Sequence, residues 1–514
     1  MVSNKQFILV VLCLFFGVKS NTFCQGKSSH FLLGYDTGLF DTNVVSTKAD
    51  LYFTQNNYTL TPANFKMPFR AAQGNLSDEN GNLIMVSNGC WIADATGDTM
   101  LNGGGLIPNS FTNSSWCDAV SGIPFPHSAV FVPDPSDTNK IFLLHQSGTS
   151  SSNFKSDGLY FTVIDKSLNG GLGGVVPSQK NQVALQAGLN PGIAVCKHAN
   201  GVDWWVLVFK DSSDIVYTMQ LSATGFSPPI QQALGVSPPV YLLGQMSFSP
   251  DGKKFAYSYF DGAFGATNNY IRLFDFDRCT GLLGNKTEVV YIENYGGLGL
   301  SFSSDSKKLY AGTFIKIVQL NLDTSNIAAS LDTVAIYDGY AFPYPMLKTD
   351  FWLMYLAANG KIYITSGNGV IDIHFINYPD SNGVACDVQQ HAIRLPCYAT
   401  RGNVYHPNYY LGCDTTLGCP CLISTGLSEN GKHDFSIKLS PNPGSSGFEI
   451  LYLLPQNKNG ILSVYDLQGR LMHKQSLPQW STMQHVPASN WAGGVYQVRV
   501  ESDGYFSANK WVKY

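Results

Sequence analysis

Apolar and polar residues alternate with a period of two along much of this chain, and one alternating unit returns at a fixed interval. Segment 248–257 recurs at 302–311 and, more weakly, at 356–364. Asp251, Asp305 and Asn359 hold equivalent positions in these copies, 54 residues apart each time. Each copy has the pattern of a strand, a short polar turn and a second strand, which predicts an antiparallel hairpin.

Weaker copies of this hairpin begin near Asn80, Asn139 and Asn200, so six units are visible. Four-stranded antiparallel sheets repeated about every 50 to 60 residues stack radially, because a ring buries both faces of each sheet. We therefore predict an all-β fold in which residues 25–413 form a β-propeller. Strand-like pieces at 31–35, 49–53 and 403–411 would combine into a composite seventh blade. Seven blades are favoured and six is the alternative.

The alternation changes character after Ser440. Residues 495–500 alternate strictly, Gly469 stands where a tight turn needs a positive φ, and Pro441 and Pro443 stiffen the chain ahead of the first strand. This predicts a small Ig-like β-sandwich over 436–514, with 414–435 as the linker. An Ig-like module used only for adhesion would show the same alternation.

This last region contains, in order, the residues Pro441, Asn442, Pro443, Asp466, Gly469, Arg470, Gly494, Tyr496 and Lys510. In these residues and their order it resembles the type A C-terminal sorting domain of the type IX secretion system of Bacteroidota. The resemblance implies export across the outer membrane through the type IX translocon and removal of the domain by a sorting peptidase. It also implies attachment of the cargo to the surface, with lipopolysaccharide as the anchor, or its release.

The amino-terminal segment agrees with export. Lys5 precedes an apolar run from Phe7 to Val18, which is too short to cross a bilayer and has the pattern of a secretory signal peptide. We assign residues 1–24 to it, with cleavage after Ser20 or after Cys24 both open. A lipid anchor at Cys24 is the minor alternative, because Thr22 and Phe23 are not the small residues that a lipoprotein site requires.

Composition and charge narrow the partners. Charged residues make up 13% of the chain and the formal net charge is −4, so no basic patch is available to neutralise phosphates. Nucleic acid is therefore not expected as a partner. The remaining partner is an unknown protein or glycan ligand.

Nine cysteines follow the signal segment, and an exported protein retains disulfides. Spacing suggests the pairs Cys90–Cys117 and Cys386–Cys397, with one thiol left over. A zinc site in the C-terminal group is the alternative, but C-x-C without a nearby C-x2-C or paired His is poor zinc spacing. We expect neither a metal nor a cofactor. The group that remains for disulfides near the linker is Cys413, Cys419 and Cys421.

No catalytic motif stands out, and no catalytic residue is assigned. His198 beside Asp203 has the pattern of a satisfied turn histidine, and Asp275 with Asp277 that of a solvated strand-end pair. Trp204 and Trp205 point to opposite faces of their strand, so at most one of them stacks on a sugar. These two tryptophans and His198 are the candidate ligand contacts.

A second resemblance covers most of the cargo. Segments 81–89, 100–103, 197–205 and 376–386 are similar to a group of exported Bacteroidota propeller proteins that carry type IX sorting tails. It implies architecture and location but no activity. The sequence thus predicts a secreted or surface-displayed module for binding, adhesion or scaffolding. One alternative is a glycan-active hydrolase or lyase with its site at the central channel, and another is a purely structural envelope component.

Overall fold

The computed structural model describes residues 26–35, 44–54, 57–106, 109–117, 122–148, 155–236, 243–261, 267–342, 346–422, 437–452, 454, 458–466, 469–479, 481–502 and 505–514. The chain divides into two compact units, Met1–Leu422 and Ile423–Tyr514. The expected signal peptide lies outside the described residues. Residues 414–422, which were expected in the linker, belong to the first unit. No helix in the described part is long and apolar enough to cross a membrane.

Seven sheets of three or more strands make up the described part of the first unit, and we number them as blades in chain order. In blades 1, 5, 6 and 7, strands that follow one another along the chain pair antiparallel, as the repeated hairpin pattern predicts. In blades 3 and 4, the last two strands both pair antiparallel with the third strand. The strands are His30–Leu33, Lys48–Phe53 and Tyr58–Ala63 (blade 1); Ala72–Ser77, Leu83–Ser87 and Ile92–Asp94, with Asn403–Val404 (blade 2); Ala129–Pro133, Lys140–Gln146, Ser156–Asp165, Gly174–Val175 and Gln182–Leu189 (blade 3); Ala194–Lys197, Trp204–Phe209, Ile215–Ser222, Gly225–Phe226 and Ile230–Ala233 (blade 4); Leu243–Phe248, Lys254–Asp261, Thr267–Asp277 and Leu282–Glu293 (blade 5); Gly299–Phe302, Lys308–Gly312, Lys316–Asn321 and Asp332–Ile336 (blade 6); and Met354–Leu356, Ile362–Ile364, Val370–Ile376 and Val388–Ala399 (blade 7).

The remaining elements of the first unit are short and lie between or beside the blades. A two-stranded hairpin, Ala341–Phe342 with Leu347–Lys348, precedes blade 7. The helical segments are the α-helical turn Ser110–Thr112, the π-helical turn Asn113–Cys117, and the 3₁₀ turns Gly26–Ser28, Asn169–Gly171, Pro177–Gln179, Ala328–Ser330, Gly383–Cys386 and Thr415–Leu417.

Shared hydrophobic cores join each blade to the next and close the ring. One core spans blades 2, 3 and 4, and separate cores join blade 4 to 5, 5 to 6, 6 to 7 and 7 to 1. Leu32 of blade 1 then packs with Val86 and Ala93 of blade 2. Because no described blade lacks a partner on either face, the unit is a seven-bladed β-propeller, as predicted.

The two ends of the propeller chain meet between blades 1 and 2. Asn403 lies opposite Ala72 and Val404 opposite Gln73, in a parallel pairing. The expectation that both ends of the chain share one composite blade is therefore corrected. The amino-terminal strands form blade 1 by themselves, and the carboxy-terminal strand extends the sheet of blade 2.

The repeated turns have the same internal hydrogen bonds. In blade 5, Ser249 donates to Asp251 (2.6 Å) and accepts from the Lys254 amide (2.9 Å). The same residue types make the same bonds at 303, 305 and 308 in blade 6. Gly252 and Gly360 lie in the turns between the first two strands of blades 5 and 7. Their φ angles are 71° and 78°, in the left-handed region that favours glycine.

The second unit is the predicted β-sandwich. Its core contains Phe448, Val464, Val498 and Trp511, all at most 1% exposed. One sheet contains Ile437–Ser440, Gly447–Tyr452 and Met483–Pro487, and the other contains Leu471–Leu477, Gly460–Tyr465, Gly494–Ser502 and Tyr505–Lys513.

Candidate functional site

The first strands of the blades surround a central channel, and residues 403–411, which we call the closing segment, run into it. A cavity of about 130 Å³ lies between this segment and the inner strands. Its lining comes from several blades and includes Val195, Gln245, Leu300, Met354 and Tyr405. This is the place where a propeller assembles side chains from different blades, so it is the first candidate site.

Hydrogen bonds attach the closing segment to strand after strand. The Tyr405 hydroxyl accepts from the Val195 amide (3.1 Å) and donates to the Val195 carbonyl (3.0 Å). The Tyr409 hydroxyl donates to the Phe131 carbonyl at 2.9 Å. His406 bonds to Asn75 and, through its other ring nitrogen, to the Tyr355 hydroxyl at 2.8 Å. The segment thus acts as a plug that holds blades 2, 3, 4 and 7 in register.

Gln245 performs a similar role among the inner strands. Its Oε1 accepts from the amides of Leu300 (3.0 Å) and Met354 (2.7 Å), and its Nε2 donates to the Met354 carbonyl (2.7 Å). One amide side chain therefore joins the inner strands of blades 5, 6 and 7. Buried polar groups satisfied in this way fix one arrangement of the blades.

The cavity carries no charge at neutral pH. None of its lining residues is Asp, Glu, Lys or Arg. Burial lowers the pKa of His127 to about 4 and that of His406 to about 3, so both imidazoles are neutral. His127 also stacks on Tyr405 with a centroid distance of 4.6 Å. The lining can exchange hydrogen bonds and pack against apolar groups.

The predicted ligand contacts are buried, which corrects that prediction. Trp204 is fully buried and its indole N–H donates to the Pro133 carbonyl (3.1 Å), while Trp205 donates to the Arg278 carbonyl (2.7 Å). His198 Nδ1 accepts from the Asn200 amide at 2.9 Å. These rings pack in the blade interfaces on both faces of their strand, so a ligand cannot reach them in this state. Asp275 is occupied by an ion pair with Lys254 at 2.9 Å.

The cysteines confirm one predicted pair and correct the other. Cys90 is joined to Cys117. Cys386 and Cys397 are buried free thiols, because Cys386 lies in the core between blades 6 and 7 and Cys397 in the core between blades 7 and 1. Although the two cysteines are close in sequence, they lie on opposite faces of blade 7 and cannot pair.

The C-terminal cysteine group forms disulfides, as expected, but takes one distant partner. Cys413 pairs with Cys421, and Cys419 pairs with Cys279 of blade 5. Among the described cysteines, Cys196 is a third free thiol besides Cys386 and Cys397, where a single free thiol had been expected. No group of His, Cys, Asp or Glu in the described residues has the geometry of a metal site.

In the second unit, the structure brings part of the predicted sorting motif together. Asn442 Nδ2 donates to the Lys510 carbonyl (2.6 Å), and its Oδ1 accepts from the Val512 amide (3.0 Å). The Trp511 indole donates to the Pro441 carbonyl at 2.9 Å. The Pro441–Pro443 segment therefore docks on the last strand of the chain, with cis peptide bonds before both prolines.

The other motif residues lie in two further places. Tyr496 stands opposite Trp511 in the adjacent strand and donates to the Ala492 carbonyl at 2.7 Å, and Gly494 begins that strand. Asp466, Gly469 and Arg470 form a separate turn, in which the Asp466 carboxylate accepts from the Arg470 amide (2.9 Å) and Nε (2.6 Å).

Sequence reasoning missed the residues that organise the channel. Gln245 had a signal, since it is a lone amide within an apolar strand. Tyr405 had no such signal in the sequence. Its hydrogen-bond partner is a backbone 210 residues away, and its local pattern is that of any aromatic residue in a strand. Lys197 was passed over in favour of the neighbouring histidine and tryptophans.

Comparisons with known proteins bear on the two units differently. Residues 438–514 match the family described as the secretion system C-terminal sorting domain. This confirms the predicted sorting domain, and with it delivery to the cell surface or secretion. No curated protein matches the chain.

Solved structures similar to the chain have low identity. One is a Bacteroides uniformis protein provisionally named a 6-phosphogluconolactonase, with 14% identity, a TM-score of 0.41, and coverage of 73% of this chain and 98% of that one. Another is the extracellular domain of a provisionally named hybrid two-component system of B. thetaiotaomicron, with 10% identity, a TM-score of 0.33, and coverage of 95% and 59%. A third is Hsv2p of Kluyveromyces lactis, with 10% identity, a TM-score of 0.30, and coverage of 66% and 93%.

Proposed function

We propose that this protein is a non-catalytic binding module for a glycan or protein, delivered to the cell surface or secreted by the type IX system. The observation that carries the proposal is the closing segment. It fills the channel with neutral groups and leaves Tyr410, 37% exposed, at the rim beside Lys27. An aromatic ring with a neighbouring cation on a rigid ring of blades is a surface suited to recognition.

The contacts within the channel support binding over catalysis there. General acid–base chemistry on a glycosidic bond uses two carboxyl groups about 5 to 10 Å apart, facing one space. Here Tyr405, His406 and Gln245 use their polar atoms to join blades. A hydrolase or lyase would need its carboxylates elsewhere on the surface.

A purely structural envelope component is the second candidate. The same neutral plug favours it, since a channel filled by its own chain stabilises the ring and needs no ligand. An exposed rim with aromatic and cationic side chains favours the binding module.

A binding experiment separates these candidates. The full exported protein, immobilised, is tested against arrays of glycans and of extracellular proteins, and in parallel against glycan substrates for product formation. Saturable binding without turnover supports the proposal. Turnover that scales with protein concentration would establish the enzyme, and the absence of any binding partner, together with a weakened envelope in a deletion strain, would establish the structural role.

The sorting motif is part of the proposal. We infer that the type IX machinery and its sorting peptidase recognise the surface where Asn442 docks on the last strand, since this links residues 441–443 to Lys510. Attachment to surface lipopolysaccharide would then follow cleavage, and a heterogeneous increase in the mass of the cargo, absent from a strain without lipopolysaccharide side chains, would test it.

A further inference from the structure

Lys197 is a partly buried cation that has no ion-pair partner among the described residues. It ends the first strand of blade 4, and its Nζ lies 4.1 Å from the centroid of the Trp204 ring. In the described part of the chain, Nζ makes no hydrogen bond or ion pair. Withdrawing an ammonium group from water without a carboxylate partner is costly, and a ring face compensates for only part of that cost.

The charged groups nearest to Lys197 are mostly positive as well. Burial, followed by the charges of Lys27 and Arg278, lowers the pKa of Lys197 to about 8. Arg278 directs Nε to the Lys197 carbonyl (2.8 Å) and a terminal nitrogen to the Gly412 carbonyl (2.8 Å). Asp203 acts in the opposite direction, but its carboxylate already accepts bonds from two amide side chains, Asn200 and Gln220, at 2.8 Å each.

The same place forms the rim of the plugged channel. The Lys27 amide donates to the Tyr410 hydroxyl at 2.9 Å, and its Nζ lies 5.3 Å from the centre of that ring. Lys27 also pairs with Glu79. The Trp204 ring, over which the Lys197 ammonium group lies, packs edge to face against Tyr409 of the closing segment. The two ring centroids are 6.0 Å apart. Lys197, Lys27 and Tyr410 are thus neighbours; we call them the rim site.

We propose that the rim site binds the carboxylate or sulfate group of an acidic polysaccharide, with Lys197 as the principal counter-charge and Tyr410 as the surface for a sugar ring. The inference rests on the proposed binding function and names its ligand class. An oxyanion beside Lys197 would supply the charge that the chain itself leaves out, and a partly exposed phenol ring packs well against a sugar. Because the whole chain has a net charge of −4, such binding would come from this local cluster and not from overall charge.

The first test compares two lysine variants of the full exported protein. Binding is measured to polygalacturonate, which carries carboxylates, to dextran sulfate, and to neutral dextran. Lys197→Met removes the charge and keeps an apolar stem over Trp204, while Lys210→Met removes an exposed cation that follows the opposite end of the strand Trp204–Phe209. We expect salt-sensitive binding to an acidic polymer, a loss of about tenfold or more in Lys197→Met, and less than a twofold change in Lys210→Met.

A second test uses the native protein, so that it holds even if Lys197→Met folds poorly. Acetylation of lysines by an amine-specific reagent is followed by mass spectrometry, with and without polymer. The acidic polymer should protect Lys197 from acetylation by about fivefold or more and leave the acetylation of Lys210 unchanged. Protection by inorganic sulfate alone, without protection by polymer, would assign the site to a free oxyanion and overturn the proposal.

The remaining outcomes separate this inference from the proposed function. Polymer binding that is unchanged in Lys197→Met overturns the rim site and leaves the binding module intact. Equal losses in both variants show nonspecific attraction and also overturn it. If no acidic polymer binds or protects Lys197, the rim site fails, while the proposed function is decided by the arrays.

Discussion

Tyr405 and Val195 exchange two hydrogen bonds: one hydroxyl accepts the amide proton of Val195 and donates to its carbonyl, at 3.1 and 3.0 Å. The hydroxyl thus satisfies the two backbone groups that a neighbouring strand would otherwise bond at the edge of blade 4. Tyr405→Phe would leave both backbone groups unsatisfied in a fully buried position, and we expect it to lower the free energy of unfolding of the propeller by about 2 to 4 kcal/mol. Calorimetry or denaturant unfolding measures this. Tyr378→Phe, at a residue 58% exposed, is the control, and an equal loss there would contradict the role of Tyr405.

The two disulfides that follow the closing segment should differ in their effect. Cys279–Cys419 spans 140 residues and Cys413–Cys421 spans 8. In the chain-entropy model these crosslinks are worth up to about 5 and about 2.5 kcal/mol. Replacing both cysteines of the longer crosslink with alanine should therefore lower the unfolding midpoint of the propeller more than the same change in the shorter one. The reverse order would show that the distant crosslink does not hold the ring closed.

Stability should fall in acid, partly through His406. Its folded-state pKa is about 3, below the roughly 6.5 of an unfolded chain, so the unfolded state takes up the proton first. The stability that depends on this histidine is complete above pH 6.5 and is lost as the pH falls toward 3, by about 1.4 kcal/mol per unit. Between pH 6 and 4, His406→Gln should reduce the slope of the unfolding free energy against pH by the amount that corresponds to one bound proton. Unchanged dependence would mean that His406 is protonated in the folded protein.

A substitution at Gly360 tests whether the repeated turn requires a left-handed backbone conformation. Its φ is 78°, and a Cβ there would meet only Ser304 Oγ, at 3.9 Å. Gly360→Ala should therefore destabilise the propeller through backbone conformation alone, by about 1 kcal/mol. Gly284→Ala is the matched control, because Gly284 has equally open surroundings without a positive φ. Equal effects in denaturant unfolding would rule out the conformational explanation.

Export should depend on the docked motif at the C-terminus. Deleting residues 438–514 should leave the cargo folded and retained in the periplasm. Asn442→Ala removes both bonds to the last strand and should reduce surface delivery several-fold, whereas Asn490→Ala, at an exposed residue, should not. Cell fractionation measures both, and normal delivery of the truncated protein would refute a sorting role for the domain.

The fold was largely predictable because its signals are local. The spacing of Asp251, Asp305 and Asn359 indicates the repeat, and Gly469 with Asp466 indicates a turn in the sandwich. What could not be predicted depends on contacts between distant segments. The pairing of Val404 with blade 2 and the Cys279–Cys419 crosslink have no local pattern, and burial of Trp204 depends on the blade packed against it.

The position of the closing segment also sets an order in time. Residues 403–411 supply the contacts that unite blades 2, 3, 4 and 7, yet they follow every other strand of the ring in the chain. The ring therefore cannot be completed until its carboxy-terminal residues have joined strands laid down hundreds of residues earlier, and a partly emerged chain keeps open blade edges. Late closure thus postpones the compact state until nearly the whole propeller chain is present.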